Sequence, residues 1–173
     1  VYVVDRPEAA QSVILAGLVA PPPDTAAELA LDAVNEALGG KFSSRINLNL
    51  REDKGWSYGA RSYLVDARAQ RPWLVLAPVQ SDRTGDAIAE LRAELDGYLG
   101  ARPFTAQELA DVQLNTVRAL PGRYETSGAV LRSFLSSSRL GRPLDSPETL
   151  TDAYAKLDVA SVRAAARTDA TSS

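Results

Sequence analysis

The N-terminal part of the chain carries two apolar runs of the kind that form β-strands. Residues 1–4 read Val-Tyr-Val-Val, and residues 11–19 read QSVILAGLV. Because the second run is apolar at nearly every position, it predicts a central, largely buried strand. The three consecutive prolines at 21–23 end this strand, since proline cannot continue the ladder of backbone hydrogen bonds.

The stretch after the prolines has the pattern of an amphipathic helix. Thr25 and Glu28 have the spacing of a capping box, in which each side chain binds the backbone N–H of the other residue. Gly39 is the expected end of this helix, because glycine is common just past a helix C-terminus. Its apolar face would be formed by Leu29, Leu31, Ala33, Val34, Ala37 and Leu38.

Residues 43–54 fit two patterns. Alternation of apolar residues favours a strand, with Ile46, Leu48 and Leu50 on one side. Ile46 and Leu50 also have the i, i+4 spacing of a helix, and the two preceding serines are good helix caps. The pattern alone leaves strand and helix equally supported.

Two strands are predicted next, over residues 58–66 and 73–80. In the first, Tyr58, Ala60, Ser62 and Leu64 would share one side. In the second, Pro78 indicates an edge position or a bulge, because it lacks a backbone donor. A turn near residues 70–72 would join the two strands as an antiparallel pair.

The remainder of the chain is predicted to be helical. Apolar residues recur at helical spacing over 84–99, 105–119, 124–139, 147–155 and 158–167. Thr105 and Glu108 form a second capping box, and Pro121-Gly122 is the expected end of that helix. Strands followed by a helical run predict the α+β class: an antiparallel sheet with helices mainly on one face.

Composition narrows the possible chemistry. The chain has 173 residues, the length of one domain, and a net charge of −3 with no basic patch, which argues against nucleic-acid binding. No apolar run approaches the length of a membrane span. The chain has no Cys and no His, which excludes catalytic triads built on those residues and the usual ligands of a zinc site.

Residues 39–65 concentrate the groups that could act on a substrate. Arg51 and Tyr58 lie on either side of Gly55. A helix that ends at Gly55 and a strand that begins near Tyr58 would bring both side chains to the same end of the sheet. A guanidinium and a phenol can each donate a hydrogen bond to a backbone carbonyl or a developing oxyanion.

This stretch resembles the C-terminal, non-zinc domain of pitrilysin/insulinase metallopeptidases, which carry the inverted zinc motif His-x-x-Glu-His in another domain. The matching segments are Gly39-Gly40, Phe42-Ser43-Ser44-Arg45-Ile46, Leu50-Arg51-Glu52-Asp53-Lys54-Gly55 and Tyr58. The resemblance favours the helical alternative for residues 43–54. It also implies that Arg51 holds the substrate backbone and that Tyr58 hydrogen-bonds the substrate carbonyl and the tetrahedral oxyanion.

Judged by residue type alone, each of these residues could instead have an ordinary structural position with no role in substrate binding. Arg51 would be a surface arginine and Tyr58 a strand tyrosine packed on a neighbour. Phe42 and Trp56 could line a cleft for an apolar substrate side chain or pack in the core. The pair Gly39-Gly40 is too short for a phosphate loop and fits a helix end, although a glycine-rich loop contacts substrate in one branch of the family.

The resemblance implies that this chain, over residues 1–173, is one metal-free domain from a longer chain or a subunit pair. Zinc and its ligands would come from the partner domain or subunit, the substrate would be a peptide, and a bacterial cell-envelope location is favoured. The family usually adds a strand after the last helix, and nothing strand-like follows residue 167, so we expect either a truncation or an edge position of the sheet left open. The alternative is a degenerate, non-catalytic member of the family.

Overall fold

The computed structural model describes residues 6–23 and 27–168, which form an antiparallel sheet with helices packed on one face. The strands are β1 (Gln11–Ala20), β2 (Arg61–Leu64) and β3 (Arg71–Gln80), in the order β1-β3-β2. The helices are α1 (Glu28–Asn35), α2 (Arg45–Asn47), α3 (Thr84–Leu99), α4 (Ala106–Arg123), α5 (Ser127–Leu140), α6 (Ser146–Ala155) and α7 (Val159–Thr168). This architecture confirms the predicted α+β class.

Strand β3 shows which side of the sheet carries the core. Its odd-numbered residues, from Arg71 to Val79, are buried beneath the helices, and the even-numbered residues face the other way. Because Val13 pairs with Pro78 and Arg61 with Leu76, the register identifies the residues on that second side. We call this side the open face; it consists of Val13, Leu15, Val19, Arg61, Tyr63, Pro72, Leu74, Leu76 and Pro78.

The prediction that residues 11–19 form a central, largely buried strand is wrong in both respects. Within the described residues, β1 is an edge strand paired only with β3. Val13 is 65% exposed and Leu15 is 62% exposed, because both side chains lie on the open face. On the other side of β1, Ile14 is partly buried and Ala20 is buried, but Leu18 is 39% exposed, so the apolar run covers the core only in part. The predicted strand over residues 1–4 lies outside the described residues.

Pro78 occupies the central strand, so the prediction of an edge position is wrong. The Pro78 carbonyl accepts a hydrogen bond from Ser57 Oγ at 2.6 Å, on the side of β3 that faces β2. A residue in an antiparallel strand points its nitrogen and its carbonyl in the same direction. Since β2 begins only at Arg61, opposite Leu76, no strand donor is lost at Pro78.

Two helices extend beyond the residues expected to end them. Helix α1 continues through a π-helical turn over Glu36–Gly40, so Gly39 lies inside the helix. Helix α4 continues through Pro121 and Gly122 to Arg123. The capping box at Thr105 and Glu108 is formed as expected. The capping residue Thr25 of α1 lies outside the described residues.

The ambiguous segment 43–54 is helical. Helix α2 continues as a π-helical turn over Leu48–Asp53, and the helix ends at Gly55, whose φ of 66° suits glycine. Ile46 and Leu50 are both fully buried, as the i, i+4 spacing of a helix predicts. Among the described residues, no helix is long and apolar enough to cross a membrane.

Candidate functional site

A pocket of about 430 Å³ lies where the α1 π-turn, α2 and the open face meet. It is lined by Gly39, Gly40, Lys41, Phe42, Asn47, Gly59, Ala60, Arg61, Leu76 and Pro78. Three of the four weaker candidates, the two glycines and Phe42, are therefore brought together. The two glycines and Phe42 lie across the pocket from the apolar side chains of β3. The cavity can therefore take an extended polypeptide segment that carries an apolar side chain.

Gly39 lets the end of α1 lie directly against strand β2. A Cβ atom at position 39 would stand 2.7 Å from both the backbone nitrogen and Oγ of Ser62. A Cβ at position 40 would stand 3.0 Å from Asn35 Nδ2. Gly39 is thus required by close packing against β2, which is a stronger constraint than the helix end expected from the pattern, whereas a Cβ at position 40 would need only a small shift of its neighbours.

Asn47 fixes the segment that carries Tyr58. Its Oδ1 accepts the backbone N–H of Ala60 at 2.8 Å, and its Nδ2 donates to the Ala60 carbonyl at 2.6 Å. Nδ2 also donates to the carbonyl of Lys41 at 3.1 Å. This buried side chain therefore ties α2, the pocket wall and the loop before β2 into one unit. Sequence reasoning missed it, because an asparagine at this position carries no local signal.

Arg51 lies at the last helical turn before Gly55. Its guanidinium contacts the carboxylate of the adjacent Glu52, and it stacks over the Phe42 ring at 4.3 Å from the ring centroid. Stacking on Phe42 places Arg51 beside the pocket that Phe42 lines. The Arg51 side chain is 35% exposed, so part of the guanidinium remains open to a ligand.

Tyr58 lies in the loop before β2, and the expectation that it sits on the strand is wrong. Its side chain is 88% exposed, and in the described part of the chain its hydroxyl has no hydrogen-bond partner. The loop is shaped by Ser57, whose Oγ accepts the Gly59 N–H at 3.1 Å while donating to Pro78. Tyr58 is therefore held by its backbone and projects into solvent next to the pocket-lining Gly59.

Trp56 is separated from the other candidates. Its ring packs against the core and stands 5.9 Å from the Arg83 guanidinium, and it does not line the pocket. Its backbone N–H donates to the Leu50 carbonyl at 2.9 Å, which closes the helix end at Gly55. The structure gives Trp56 this packing position; its role in substrate binding stays a prediction.

Arg45, a residue of the matching motif without a predicted role, anchors α2 to the helical layer. Its Nε and Nη2 reach the two oxygens of Glu108 at 2.6 and 2.7 Å, and it stacks on Tyr98 at 4.8 Å. Burial raises the pKa of Glu108, but the hydrogen bonds from Arg45 and Thr105 outweigh burial and lower the pKa below its ordinary value. The Thr105–Glu108 capping box is the only part of this cluster that the sequence indicates.

The residues of this chain do not fit a zinc site. Within residues 6–23 and 27–168, no three His, Cys, Asp or Glu side chains are grouped so as to hold a metal ion. The candidate pocket contributes backbone, amide and cationic groups, which are poor zinc ligands. What the pocket and its rim do offer is hydrogen-bond donors for oxygen: the Arg51 guanidinium and the Tyr58 hydroxyl.

Several solved structures have the same fold as this chain. The chain superposes on a peptidase M16 inactive domain from Pseudomonas fluorescens with a TM-score of 0.80 and 21% identity, covering 93% of this chain and 38% of that one. A putative zinc protease from Bordetella pertussis gives 0.76 and 19%, covering 93% and 87%. The periplasmic protease PqqL from Escherichia coli gives 0.73 and 19%, covering 91% and 17%.

The match of this sequence to a protein family is more specific evidence than the shared fold. No curated protein matches the chain. Residues 1–115 match the family description "Peptidase M16 inactive domain", and this range contains the whole motif from Gly39 to Tyr58. The resemblance drawn from the motif is confirmed by this match. The chain therefore belongs to the peptidase M16 family, as a copy of its inactive domain.

Proposed function

We propose that this chain completes the active site of a zinc peptidase whose metal and general base lie in another domain or subunit. The observation that carries the proposal is the Tyr58 side chain, which is 88% exposed, lies next to the pocket-lining Gly59 in the chain, and has no hydrogen-bond partner among the described residues. An exposed phenol held by a fixed loop is positioned to act on something that this chain does not contain. The chemistry would then occur between the two partners.

Tyr58 and Arg51 have complementary roles in this proposal. The Tyr58 hydroxyl donates a hydrogen bond to the carbonyl under attack and a stronger one to the oxyanion that follows. Arg51 offers the N–H groups that Glu52 leaves free to backbone carbonyls of the bound peptide. The pocket at Gly39-Gly40 and Phe42 takes a neighbouring apolar side chain of the same peptide.

The open face supplies the surface for the partner. Val13, Leu15 and Val19 are exposed there and lie on the same side of the sheet as the pocket-lining Leu76 and Pro78. Exposed apolar patches of this kind mark interaction surfaces. The zinc-bearing domain would cover this face, and the peptide would be enclosed between the two halves. A cell-envelope location fits this proposal, since PqqL, one of the similar structures, is periplasmic.

One observation favours a second candidate, a purely structural or binding member of the family. Arg51 is already engaged by Glu52 and Phe42, so a peptide must compete for its guanidinium. In this alternative the chain would still bind the zinc-bearing partner through the open face. Tyr58 would then have no part in turnover.

A mixing assay tests the two candidates. The chain is combined with the zinc-bearing domain or subunit from the same source, and cleavage of a quenched peptide library is followed. Loss of one oxyanion donor typically costs about 10²–10³ in turnover, so Tyr58→Phe should reduce kcat by that order. Arg51→Ala should mainly raise KM. Tyr124→Phe, a half-buried tyrosine at the C-terminal end of α4, and Arg92→Ala, an exposed arginine on α3, are the matched controls, and both lie off the open face.

The outcomes separate the candidates. If the mixture cleaves and only the Tyr58 and Arg51 variants are impaired, the chain completes a peptidase active site. If the partners associate but the mixture is inactive, or if Tyr58→Phe behaves like Tyr124→Phe, the structural role is correct. Each protein alone should be inactive, and cleavage by this chain alone would refute the proposal.

A further inference from the structure

A second pocket, of about 410 Å³, lies in the helical layer and shares no residue with the first. It is formed by α1, the C-terminal end of α4, and helices α5 and α6. Its lining mixes apolar and polar groups, and the polar ones include hydroxyl groups from Ser133, Ser136 and Tyr154 and charged groups from Asp32 and Arg123. A concave site with several convergent polar groups is the form that small-molecule sites take.

Asp32 is the unusual group in this pocket. Its side chain is half-buried, and among the described residues it makes no hydrogen bond and no ion pair. Glu28, one turn earlier on α1, contrasts with it, since both of its oxygens are taken by Arg71 and by Arg142, the latter at 2.6 Å. Solvent reaches this carboxylate in the ligand-free protein, and a ligand that supplies a hydrogen-bond donor takes the place of that water.

The charged groups around Asp32 make its carboxylate difficult to ionise. Burial is the largest cause, Glu28 and Glu36 on its own helix add to it, and Arg71 and Arg142 from the facing elements oppose it. Together they raise the pKa of Asp32 to about 7. Carboxyl groups with strongly shifted pKa values in clefts are frequent in functional sites.

Tyr154 links Asp32 to a charge of opposite sign. The pKa of the Tyr154 phenol is raised, mainly by burial and next by the nearby charge of Asp32, while Arg123 acts in the opposite direction. The phenol therefore lies within electrostatic range of both groups. In the described residues Arg123 forms no ion pair, and it is exposed at the end of α4. Asp32, Arg123 and Tyr154 thus line one pocket, and among the described residues neither the carboxylate nor the guanidinium forms an ion pair.

We propose that this pocket binds a small zwitterion, a free α-amino acid or a short peptide. Its ammonium group lies against Asp32 and donates to both the carboxylate and the neighbouring hydroxyls. Its carboxylate lies against Arg123, so that the ligand spans the pocket from one charged group to the other. The ligand contributes the two hydrogen-bonding partners that the protein lacks, without adding net charge to the pocket.

The observations disfavour other ligand classes. A divalent cation needs about six oxygen ligands, whereas one free carboxylate is available and Arg142 lies close by. An anion would meet Arg123 but would be repelled by Asp32. A purely apolar ligand would leave Asp32, Arg123 and the serine hydroxyls without partners.

Isothermal titration calorimetry on the 173-residue protein tests the proposal. The probes are glycyl-leucine, leucine, N-acetyl-glycyl-leucine, glycyl-leucine amide and n-butylamine, each at pH 7.5. Glycyl-leucine or leucine should bind, and whichever binds more tightly identifies the source of the zwitterion. Blocking the amine or the carboxylate should weaken binding roughly ten- to hundredfold, the range for one charged hydrogen bond.

Three variants assign the contacts. Asp32→Asn keeps the shape and removes the charge, and it should weaken zwitterion binding roughly ten- to hundredfold. Arg123→Gln should remove the preference for glycyl-leucine over its amide. Asp96→Asn, an exposed aspartate on α3, is the control and should leave binding unchanged. Circular dichroism spectra verify that each variant is folded.

The pH profile adds an independent readout. Ionised Asp32 and a protonated α-amine coexist between the Asp32 pKa of about 7 and an amine pKa of about 8, so affinity should peak there. Affinity should fall about tenfold per pH unit below that window. The proposal is overturned if neither zwitterion binds at 10 mM, if n-butylamine binds as well as glycyl-leucine, or if Asp32→Asn binds as tightly as the wild-type protein.

Discussion

Asn47 hydrogen-bonds both backbone groups of Ala60, with its Oδ1 accepting at 2.8 Å and its Nδ2 donating at 2.6 Å. This arrangement mimics a strand partner for a residue that comes just before β2. It connects the helix that carries Arg51 to the loop that carries Tyr58. This buried amide therefore helps to set the relative position of the two candidate residues, together with the backbone N–H groups of Trp56 and Ser57, which donate to the Leu50 carbonyl.

Replacing Asn47 with alanine should destabilise the protein by about 2–4 kcal/mol, because the backbone N–H and C=O of Ala60 would be left buried without partners. Urea denaturation gives the free energy of unfolding. Gln107→Ala removes an amide that bonds only the exposed Asp111 and should change it by less than about 0.5 kcal/mol. Equal effects of the two variants would show that the Asn47 contacts have no net value.

Gly39→Ala should destabilise the protein by about 1–3 kcal/mol, since its Cβ would collide with the backbone of Ser62 and force α1 and β2 apart. Gly85→Ala is the matched control. No atom lies within 4 Å of a Cβ at position 85, and the residue is helical, so this substitution should stabilise by about 0.5–1 kcal/mol. Thermal unfolding of both variants measures the contrast, and a neutral Gly39→Ala would contradict the close approach.

Local signals in the sequence were sufficient for most helices and for the fold class. Thr105 and Glu108 predict a helix start because capping is decided within one turn, and α3 follows its apolar spacing from Thr84 to Leu99. Helix ends were less predictable. Pro121 and Gly122 are tolerated within the final turn of α4, and Gly39 is used for packing rather than for ending α1.

The errors in the sequence prediction have one physical origin, the surroundings of each element. An apolar run such as β1 looks the same whether its second face is buried or open, so its edge position could not be inferred. Tyr58 continues the alternation of β2 toward the N-terminus. The Ser57 side chain, however, bonds the Pro78 carbonyl in the loop before β2, and the strand begins later than the alternation predicts. Arg45 meets Glu108, a partner 63 residues away in the chain, and no local pattern signals such a contact.

Glu108→Gln should reduce stability at neutral pH by about 1–3 kcal/mol, because the charged hydrogen bonds with Arg45 would be lost. The pKa of Glu108 is lower in the folded protein than its ordinary value of 4.5. The native state therefore binds fewer protons than the unfolded chain, and this stabilisation is present above about pH 4.5. It disappears as the pH falls through the lower, folded-state pKa.

Urea denaturation of wild type and Glu108→Gln at pH 7 and pH 3 measures this effect. The difference in free energy of unfolding should shrink strongly at pH 3. Glu125→Gln, at an exposed glutamate, is the control and should show a small difference at both pH values. A constant difference for Glu108→Gln would mean that shape, and not charge, accounts for the contribution of this residue.

Asp32→Asn should stabilise the ligand-free protein at pH 8 and leave it nearly unchanged at pH 4. The folded-state pKa of Asp32 is about 7, above the ordinary value of 3.8, so between these values the native state binds more protons than the unfolded chain. Stability of the wild type therefore falls as the pH rises through this window. We expect a gain of about 1–3 kcal/mol for the variant above pH 7, with Asp96→Asn showing no such trend.

Leu15→Lys should separate partner binding from folding. Leu15 is 62% exposed on the open face, so a lysine there costs the isolated chain less than about 0.5 kcal/mol. If the zinc-bearing partner covers this face, an ammonium group is taken out of water without a counter-charge, and the partner Kd should rise at least about tenfold. Leu114→Lys, at a 48% exposed position on α4, is the control and should leave both the stability and the Kd unchanged. Surface plasmon resonance with the immobilised partner gives the Kd, and urea denaturation gives the stability. An unchanged Kd for Leu15→Lys would assign the partner to another surface, whereas loss of stability would mean that β1 packs more tightly than its exposure indicates.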